Sequence, residues 1–258
     1  MSNLKERLKN GEAVHGCWLN MGSAISAEIV AATRFDWVLF DLEHGAGSES
    51  NLLSELQALG NNSAVPIVRV ESSKRPRVQH ALDAGVKGVM FPQIQNSDEA
   101  YTAISHMYYP PKGKRGFAKL VRATDYGSNF ENYHKFAEND LLGIIQIETI
   151  ESLNHLDEIA SMKGVDVLFL GPADLSLSLG IFGQWDHADF IAAVTAISAA
   201  AHKAGKVSGV LFLDPAQYDF YYQHGYRFLA CGSDMTFLRQ GAHAMADQLD
   251  DQRNKNKQ

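Results

Sequence analysis

Apolar or β-branched runs recur eight times along this chain, and most are followed by a stretch whose apolar residues are spaced three to four apart. Short runs of this kind are typical of buried parallel strands, and the spaced stretches are typical of amphipathic helices. Eight alternations of strand and helix predict a closed (β/α)8 barrel, the TIM-barrel fold of the α/β class. The runs lie at about residues 15–20, 37–41, 66–70, 88–92, 142–148, 166–171, 207–212 and 227–231.

Helices are predicted where apolar positions repeat with helical spacing, and glycines stand where most of these helices should end. The predicted helices cover residues 49–59, 76–84, 98–107, 151–162, 188–203 and 215–224. The glycines at their ends are Gly60, Gly85, Gly164, Gly205 and Gly225.

Length and composition favour a single domain. With 258 residues, of which 45% are hydrophobic, the chain can bury one large core, and we expect one barrel domain over residues 1–258. Residues from about 250 to 258 are polar and charged and are expected to form a flexible tail. No apolar run approaches the length of a membrane span and the N-terminal segment is charged, so we expect a soluble, cytoplasmic protein. The net charge of -7 and the lack of a basic stripe argue against nucleic acid or a membrane surface as partner.

The cysteines carry no sign of a metal site. Cys17 and Cys231 are far apart in the sequence and belong to no paired-cysteine motif with zinc spacing. We expect both to be reduced packing residues in the interior.

One segment interrupts the alternation of strands and helices. Residues 108–140 run through a stretch rich in proline, glycine and basic residues and then through an aromatic stretch. A connection of this length inside a compact barrel is usually functional. The alternative is a surface excursion that covers the barrel mouth or a neighbouring subunit without taking part in the chemistry.

Polar residues follow several of the predicted strands where each strand ends. Asp41 and His44 follow the second strand, Arg69 the third, Glu148 the fifth and Asp174 the sixth. Barrels of this kind carry their active site at the carboxyl ends of the strands, so these side chains are expected to converge on one mouth. This convergence predicts an active site, although each residue alone could be a helix cap, a solvated loop residue or half of a structural ion pair.

The chemistry of these groups suggests a metal-dependent enzyme. Glu148 and Asp174 are carboxylates beside a buried core and are predicted to share one divalent cation. Arg69 offers a permanently charged fork for a carboxylate or a developing oxyanion. His44 is the predicted acid or base, with Asp41 close enough in sequence to hold one of its ring nitrogens.

Two further features of the mouth follow from the same patterns. Pro172 opens the helix after the sixth strand, which leaves the backbone N–H groups of Ala173 and Asp174 free to bind a substrate carboxylate. Glu43 could support a neighbouring active-site residue or simply begin a helix, and the sequence leaves both interpretations open.

Six motifs stand in order along nearly the whole chain. They are Asp41-x-Glu43-His44, Pro66-x-Val68-Arg69, Leu82-Asp83-Ala84-Gly85, Tyr109-Pro110-Pro111-x-Gly113-x-Arg115-Gly116, Gln146-x-Glu148 and Gly171-Pro172-Ala173-Asp174-Leu175-Ser176. With these motifs the chain resembles the HpcH/HpaI aldolase/citrate lyase family, and in particular its class II pyruvate aldolases. It is similar to 4-hydroxy-2-oxoheptanedioate and 2-dehydro-3-deoxyglucarate aldolases.

The resemblance implies reversible aldol cleavage of a 4-hydroxy-2-oxo acid into pyruvate and an aldehyde. It implies a divalent cation, Mg²⁺, Mn²⁺ or Co²⁺, held by Glu148 and Asp174 in place of a Schiff-base lysine. Arg69 would stabilise the enolate and His44, oriented by Asp41, would take the proton from the C4 hydroxyl. Substrate-binding positions implied by the motifs are Arg69, Gln146, Gly171, Ala173, Asp174 and Leu211.

The resemblance also implies an assembly in which subunits share the site. Asp83 matches the motif that supplies an acidic residue to a neighbouring subunit's site. Similar proteins form trimers of dimers with a swapped C-terminal helix, so residues 235–249 are expected to exchange and the chain to form a homo-hexamer. Phe212 departs from the smaller residue common among relatives, and its effect on the aldehyde side is open.

Two other functions compete with the aldolase. A citrate-lyase-like or citrate-synthase-like enzyme would turn the same metal-bound enolate toward another electrophile, but the chain shows no basic groove for a coenzyme. A non-catalytic sensor of oxo acids would need the cation and the carboxylate cradle but would have no use for His44. The sequence leaves open which aldehyde is released and which metal is preferred.

Overall fold

The computed structural model describes residues 4–60 and 64–256 of the chain. Eight parallel strands form one closed barrel in which each strand pairs with the next and β8 pairs with β1. The predicted TIM barrel is confirmed, and the strand ends fall within two residues of the predicted ones. The strands are β1 (Val14–Leu19), β2 (Trp37–Asp41), β3 (Val65–Arg69), β4 (Gly88–Phe91), β5 (Leu142–Ile147), β6 (Val167–Leu170), β7 (Val207–Phe212) and β8 (Phe228–Ser233).

Helices fill the connections between the strands. They are α1 (Leu4–Lys9), α2 (Ala24–Ala31), α3 (Glu49–Leu59), α4 (Arg75–Ala84), α5 (Ser97–Ser105), α6 (Phe130–Asp140), α7 (Ile150–Asn154), α8 (Leu156–Ser161), α9 (Pro172–Ser178), α10 (Ala188–Lys203), α11 (Tyr218–Gln223) and α12 (Asp234–Lys255), with 3₁₀ turns at Arg122–Gly127 and Pro215–Gln217. The helix predicted over 151–162 is divided at His155, whose φ of -110° and ψ of 16° are not helical. Ser, Asn and His in this stretch are weak helix formers, which accounts for the break. Over the described residues, no helix is both long and apolar enough to cross a bilayer.

Apolar side chains form one cluster inside the barrel and another between the barrel and its helices. Inside, the rings of Trp37 and Phe228 stack with centroids 4.0 Å apart. Gly16 on the neighbouring strand makes room for this stack, since a Cβ there would lie 2.2 Å from a carbon of the Trp37 ring. The two thiols are free, and Cys17 is buried as predicted, whereas Cys231 is only partly buried.

The long segment over 108–140 lies at the end of the barrel opposite the mouth. Arg115, which is 1% exposed, donates to the Tyr133 hydroxyl at 2.9 Å and to the Asp83 carboxylate at 2.7 Å. Arg122 donates to the backbone carbonyls of Ala84 and Leu56, where two helices end. The segment therefore does not cover the mouth of its own barrel.

Helix α12 barely touches the barrel from which it extends. Asp234 is its only buried residue. Leu238 is 62% exposed and Leu249 is 64% exposed. The helix continues to Lys255 and so includes residues 250–255 of the predicted tail, whereas 257–258 lie outside the described residues. The flexibility of this terminal segment stays a prediction.

The contact between Gly16 and Trp37 predicts a strong effect of a single methyl group. Gly16→Ala forces the Trp37 ring to move within a packed core, so we expect a loss of about 1–3 kcal/mol in the free energy of unfolding, measured with urea. Thr195→Ala, on the exposed face of α10, is the control and should stay within about 0.5 kcal/mol of wild type. An unchanged unfolding midpoint for Gly16→Ala would show that the barrel interior is not packed as described.

Candidate active site

The carboxyl ends of β2, β3, β5 and β6 bring the predicted polar residues to one mouth. Asp41 and Arg69 are the last residues of β2 and β3 and are direct partners in the register of these strands. Glu148 follows β5, and Asp174 lies in the first turn of α9 after β6. The structure therefore brings together the four charged residues on which the prediction of a site rests.

Arg69 and Asp41 form a buried, bidentate ion pair. The Nε and Nη2 atoms of Arg69 donate to the two Asp41 oxygens at 2.8 and 2.7 Å. Arg69 is 5% exposed and Asp41 is 2% exposed. The Arg69 guanidinium also lies over the Trp18 ring, 4.3 Å from its centroid. Two hydrogen bonds and an aromatic face hold this cation in one orientation.

Asp41 does not hold the ring of His44, which differs from the prediction. Its carboxylate accepts the backbone N–H groups of Glu43 and His44, at 3.1 and 3.4 Å, and the Asn20 side-chain amide at 2.7 Å. Together with the Arg69 pair, these donors occupy the carboxylate. Asp41 thus shapes the turn that carries His44, and the exposed imidazole projects from that turn.

Glu43 adds a second acid beside Arg69. Its Oε2 lies 2.9 Å from Arg69 Nη1, although no well-directed hydrogen bond reaches this buried oxygen. The contact is therefore an ion pair held by charge rather than by hydrogen-bond geometry. Burial raises the pKa of Glu43 and the Arg69 charge opposes that rise. Of the two roles left open for Glu43, the structure supports that of a partner to Arg69.

Glu148 is a carboxylate buried at the base of the mouth, with 1% exposure. The backbone N–H of Gln93 donates to its Oε1 at 2.6 Å, and the Gln146 amide makes a very short contact with its Oε2. Burial raises the pKa of Glu148 to about 7; the Gln93 N–H opposes the rise, and the negative charges of Asp174 and Glu43 increase it. The Arg69 charge also opposes the rise in the pKa of Glu148 but does not cancel it.

Residues 171–174 form the neighbouring wall. A Cβ on Gly171 would lie 2.8 Å from Glu148 Oε2 and 3.0 Å from the Gln146 amide nitrogen, so only glycine lets the chain pass this close. Asp174 and Ala173 are exposed in the first turn of α9. Their backbone N–H groups have no acceptor within the helix and form the positive end of its dipole.

These oxygens fit a hard divalent cation. Glu148 and Asp174 interact electrostatically across the mouth, and the buried Gln146 Oε1 has no hydrogen-bond donor. Carboxylate and amide oxygens are the ligands that Mg²⁺ and Mn²⁺ prefer, and a cation would replace the proton that burial favours on Glu148. In the part of the chain that the structure describes, no group of three or more His, Cys, Asp or Glu residues is placed to hold a metal. The fit is therefore to a site built on two carboxylates.

Leu211 and Phe212 point to opposite sides of β7. Leu211 is half-buried against the cluster inside the barrel, as expected for a residue near the mouth. Phe212 belongs to the outer cluster, where its ring stacks on Tyr221 with centroids 5.7 Å apart. The large ring of Phe212 therefore packs between the barrel and its helices, away from the mouth.

Asp83 is remote from this site within one chain. It lies near the end of α4, at the opposite end of the barrel, where it pairs with Arg115. A role for Asp83 in the chemistry would therefore require a second subunit, and that role stays a prediction.

Several residues at the mouth were not found from the sequence. Asn20 directly follows the first strand, so the rule that polar residues at strand ends are site candidates could have identified it. Trp18 lies within the strand and gives no such signal. Gln93 gives no sequence signal, because its part depends on a φ of 56° that aims its N–H at Glu148. Such a conformation is uncommon outside glycine and is found often at functional sites. Asp234 reads in the sequence only as a helix start.

Comparison with known proteins agrees with this geometry. The family model described as HpcH/HpaI aldolase/citrate lyase matches residues 15–241. The chain belongs to this family. The resemblance seen in the six motifs is thereby confirmed.

Relatives within the HpcH/HpaI family cover almost the whole chain. A hydroxypyruvate/pyruvate aldolase of Paraburkholderia phytofirmans is 39% identical over 91% of this chain and 92% of its own length. A 4-hydroxy-2-oxo-heptane-1,7-dioate aldolase of Salmonella heidelberg is 34% identical over 94% of this chain and 92% of its own. The crystal structure of a family member from Burkholderia cenocepacia superimposes with a TM-score of 0.91 at 34% identity, covering 96% of this chain and 99% of that one.

The raised pKa of Glu148 predicts a pH-dependent stability for the metal-free protein. The folded-state pKa of about 7 lies above the ordinary 4.5, so the stabilising effect of the bound proton is complete below about pH 4.5 and is lost as the pH rises through about 7. We expect the free energy of unfolding, measured with urea in the presence of chelator, to fall between about pH 4.5 and 7.5, by up to about 3 kcal/mol for this group.

Glu148→Gln, which copies the neutral acid, should remove this part of the slope. The pKa of the buried Glu55 is also raised to about 7, so a smaller slope should persist. Glu151→Gln, at an exposed position, is the matched control and should keep the wild-type slope. The same slope in Glu148→Gln as in wild type would contradict the assignment.

Proposed function

We propose that the protein catalyses the reversible aldol cleavage of a 4-hydroxy-2-oxo acid to pyruvate and an aldehyde, as a metal-dependent carbon–carbon lyase. The observation that carries the proposal is the buried Glu148 carboxylate beside Asp174 and the fixed Arg69 cation in one mouth. The names of the relatives support the same reaction. A citrate-lyase-like or citrate-synthase-like activity has less support, because the aldolase relatives are 39% and 34% identical to this chain, whereas a citrate synthase of solved structure is 25% identical.

Glu148 and Asp174 would hold a divalent cation, Mg²⁺, Mn²⁺ or Co²⁺. When bound, the cation supplies Lewis-acid polarisation of the substrate's 2-oxo group. Arg69 stabilises the negative charge that develops on the 2-oxo oxygen as the C3–C4 bond breaks. Its fork cannot rotate away, because Asp41 and Glu43 pair with it and Trp18 covers one face.

His44 takes the proton of the C4 hydroxyl in the cleavage direction and returns it in the synthetic direction. Since Asp41 holds only the backbone of His44, the orientation of the imidazole must come from another source. Asp83 of a neighbouring subunit is the acid that we propose for this purpose. The imidazole is exposed in one chain, so a neighbour has room to reach it.

The substrate carboxylate binds at the start of α9, where the N–H groups of Ala173 and Asp174 point toward the mouth. Gly171 keeps this wall close to Glu148, and the Gln146 amide lies at the same place. Leu211 lines the side of the mouth that receives the aldehyde half.

We propose further that the active form is a homo-hexamer with exchanged C-terminal helices. The exposed apolar side chains of α12 and of α2, where Ile25 is 70% exposed and Ile29 is 66% exposed, provide faces that a second copy would bury. A cytoplasmic location stays a prediction.

Pyruvate release tests the proposed reaction. Metal-stripped protein is incubated with a panel of 4-hydroxy-2-oxo acids, with and without Mg²⁺, Mn²⁺ or Co²⁺, and pyruvate is quantified. We expect metal-dependent release that Glu148→Ala abolishes and that His44→Ala lowers by about 10²- to 10⁴-fold. Glu158→Ala and His155→Ala, an exposed pair where α7 meets α8 on the outside of the barrel, are the matched controls. Absence of pyruvate with every ion would refute the aldolase.

The proposed assembly predicts a mass change from one substitution. Leu238→Asp places a charge on the apolar face of α12 that a second copy would bury, so we expect a species smaller than the hexamer by light scattering. Gln248→Ala, on the same helix, should leave the wild-type mass. A hexamer that survives Leu238→Asp, or a monomeric wild type, would contradict the helix exchange.

A further inference from the structure

We propose that Asp234, the first residue of α12, is a positioning residue for Arg69. It acts through a chain of hydrogen bonds that runs from Asp234 to Asn20, from Asn20 to Asp41, and from Asp41 to Arg69. The proposal rests on the proposed function insofar as Arg69 serves the aldol reaction. The chain of contacts itself can be tested without turnover.

Asp234 holds the loop after β1. It is 6% exposed and accepts the backbone N–H groups of Asn20 at 2.8 Å and Met21 at 3.2 Å. It also accepts the Ser26 hydroxyl at 2.6 Å and the N–H of Met235 at 2.8 Å. Both carboxylate oxygens are used, so the carboxylate fixes the loop against the start of α12.

Asp234 is not needed as the helix cap. Ser233 caps α12, since its side chain accepts the Thr236 N–H in a capping box. The donors described above for Asp234 are neutral, and the acid Glu55 is nearby: burial raises the pKa of Glu55, and the Asp234 charge raises it further. Burial of a carboxylate beside another acid is costly, so a role in helix capping alone does not account for an acid at this position.

Asn20 carries the constraint to Asp41. Its backbone is held on both sides, because its N–H is bound by Asp234 and its carbonyl accepts the Ala46 N–H at 2.7 Å. The two loops touch so closely that a Cβ on Gly22 would lie 2.4 Å from the Cα of Gly47. With its backbone fixed, the Asn20 side chain donates to Asp41 Oδ2 at 2.7 Å.

Asp41 carries the constraint to Arg69. The same Oδ2 accepts both the Asn20 amide and Arg69 Nη2, while Oδ1 accepts Arg69 Nε. Without the Asn20 amide, Asp41 Oδ2 keeps Arg69 Nη2 as its donor but loses its link to the fixed loop, while Oδ1 stays bound to the turn of His44. The Oδ2 end of the carboxylate can then shift, and Arg69 Nη2 shifts with it. A shift of about 1 Å at a group that stabilises a transition state is enough to lower turnover about 100-fold.

Asp234→Asn tests the first link. The amide replaces an acceptor by a donor that faces the N–H and O–H groups of the loop, so the loop loses its anchor while the side-chain size is kept. We expect kcat for pyruvate release to fall by about 10- to 100-fold with a smaller change in KM. Ser233→Ala is the matched control: it removes the helix cap and lowers the thermal midpoint, but it should keep the wild-type kcat.

Asn20→Ala tests the second link, the hydrogen bond from Asn20 to Asp41. It provides an independent variant in case Asp234→Asn fails to fold. It should lower kcat by a similar factor, and adding Asp234→Asn to it should lower kcat little further, because the chain is already broken. Full additivity of the two substitutions would show that Asp234 acts independently of Asn20 and would overturn the proposal.

Trp18 provides a readout that needs no turnover. Its ring faces the Arg69 guanidinium at 4.3 Å, so the ¹⁹F resonance of 5-fluorotryptophan at this position reports where Arg69 lies. The chain has three tryptophans, and the resonance is assigned by Trp18→Phe. We expect the resonance to shift in Asp234→Asn and Asn20→Ala and to stay in place in Ser233→Ala.

The outcomes separate this proposal from the proposed function. If wild type releases no pyruvate, the aldolase fails, whereas the Trp18 shift still tests the chain of contacts. If wild type is active, an unmoved Trp18 resonance in Asp234→Asn, or an unchanged kcat, overturns the positioning role.

Discussion

The buried pair of Arg69 and Asp41 is the interaction around which the mouth of the barrel is arranged. Arginine stays charged at all physiological pH values, so its burial requires that its charge be matched in place. Asp41 and Glu43 match it, Trp18 covers it, and Asn20 and the turn to His44 hold Asp41. Removal of one partner of such a pair lowers the free energy of unfolding by about 3–5 kcal/mol, because the other charge is left buried without a partner.

The opposite side of the mouth has the reverse problem. Glu148 is buried with hydrogen-bond donors but without a cation of its own, and its neighbours Asp174 and Glu43 are acids. This side of the mouth contains two unusual backbone features: a positive φ at Gln93, and Gly171, which packs directly against the Glu148 side chain. Fixed positive charge on one side and unmatched negative charge on the other is the arrangement expected where a cation and an anionic oxygen bind together.

The strands and the carboxylates could be predicted from sequence because each depends on local pattern: an apolar run ends, and a polar residue follows. The partners of those residues could not, since pairing is decided by register across strands. Asp41 lies beside Arg69 because β2 and β3 align there, whereas sequence proximity alone suggested the His44 ring. Side chains alternate between the two faces of a strand, and Phe212 falls on the outer face of β7. Asp234 meets Asn20 only when the barrel closes.

The exchange of pyruvate methyl protons for deuterium tests the central claim most directly, because it needs the enolate but neither an aldehyde nor knowledge of the natural substrate. Proton NMR of pyruvate in D₂O with a divalent cation should show exchange by wild type. Arg69→Lys keeps the charge but loses the bidentate fork, and we expect it to slow exchange by about 10²-fold or more. Exchange by Arg69→Lys at the wild-type rate would show that the fixed Arg69 fork is not what stabilises the enolate.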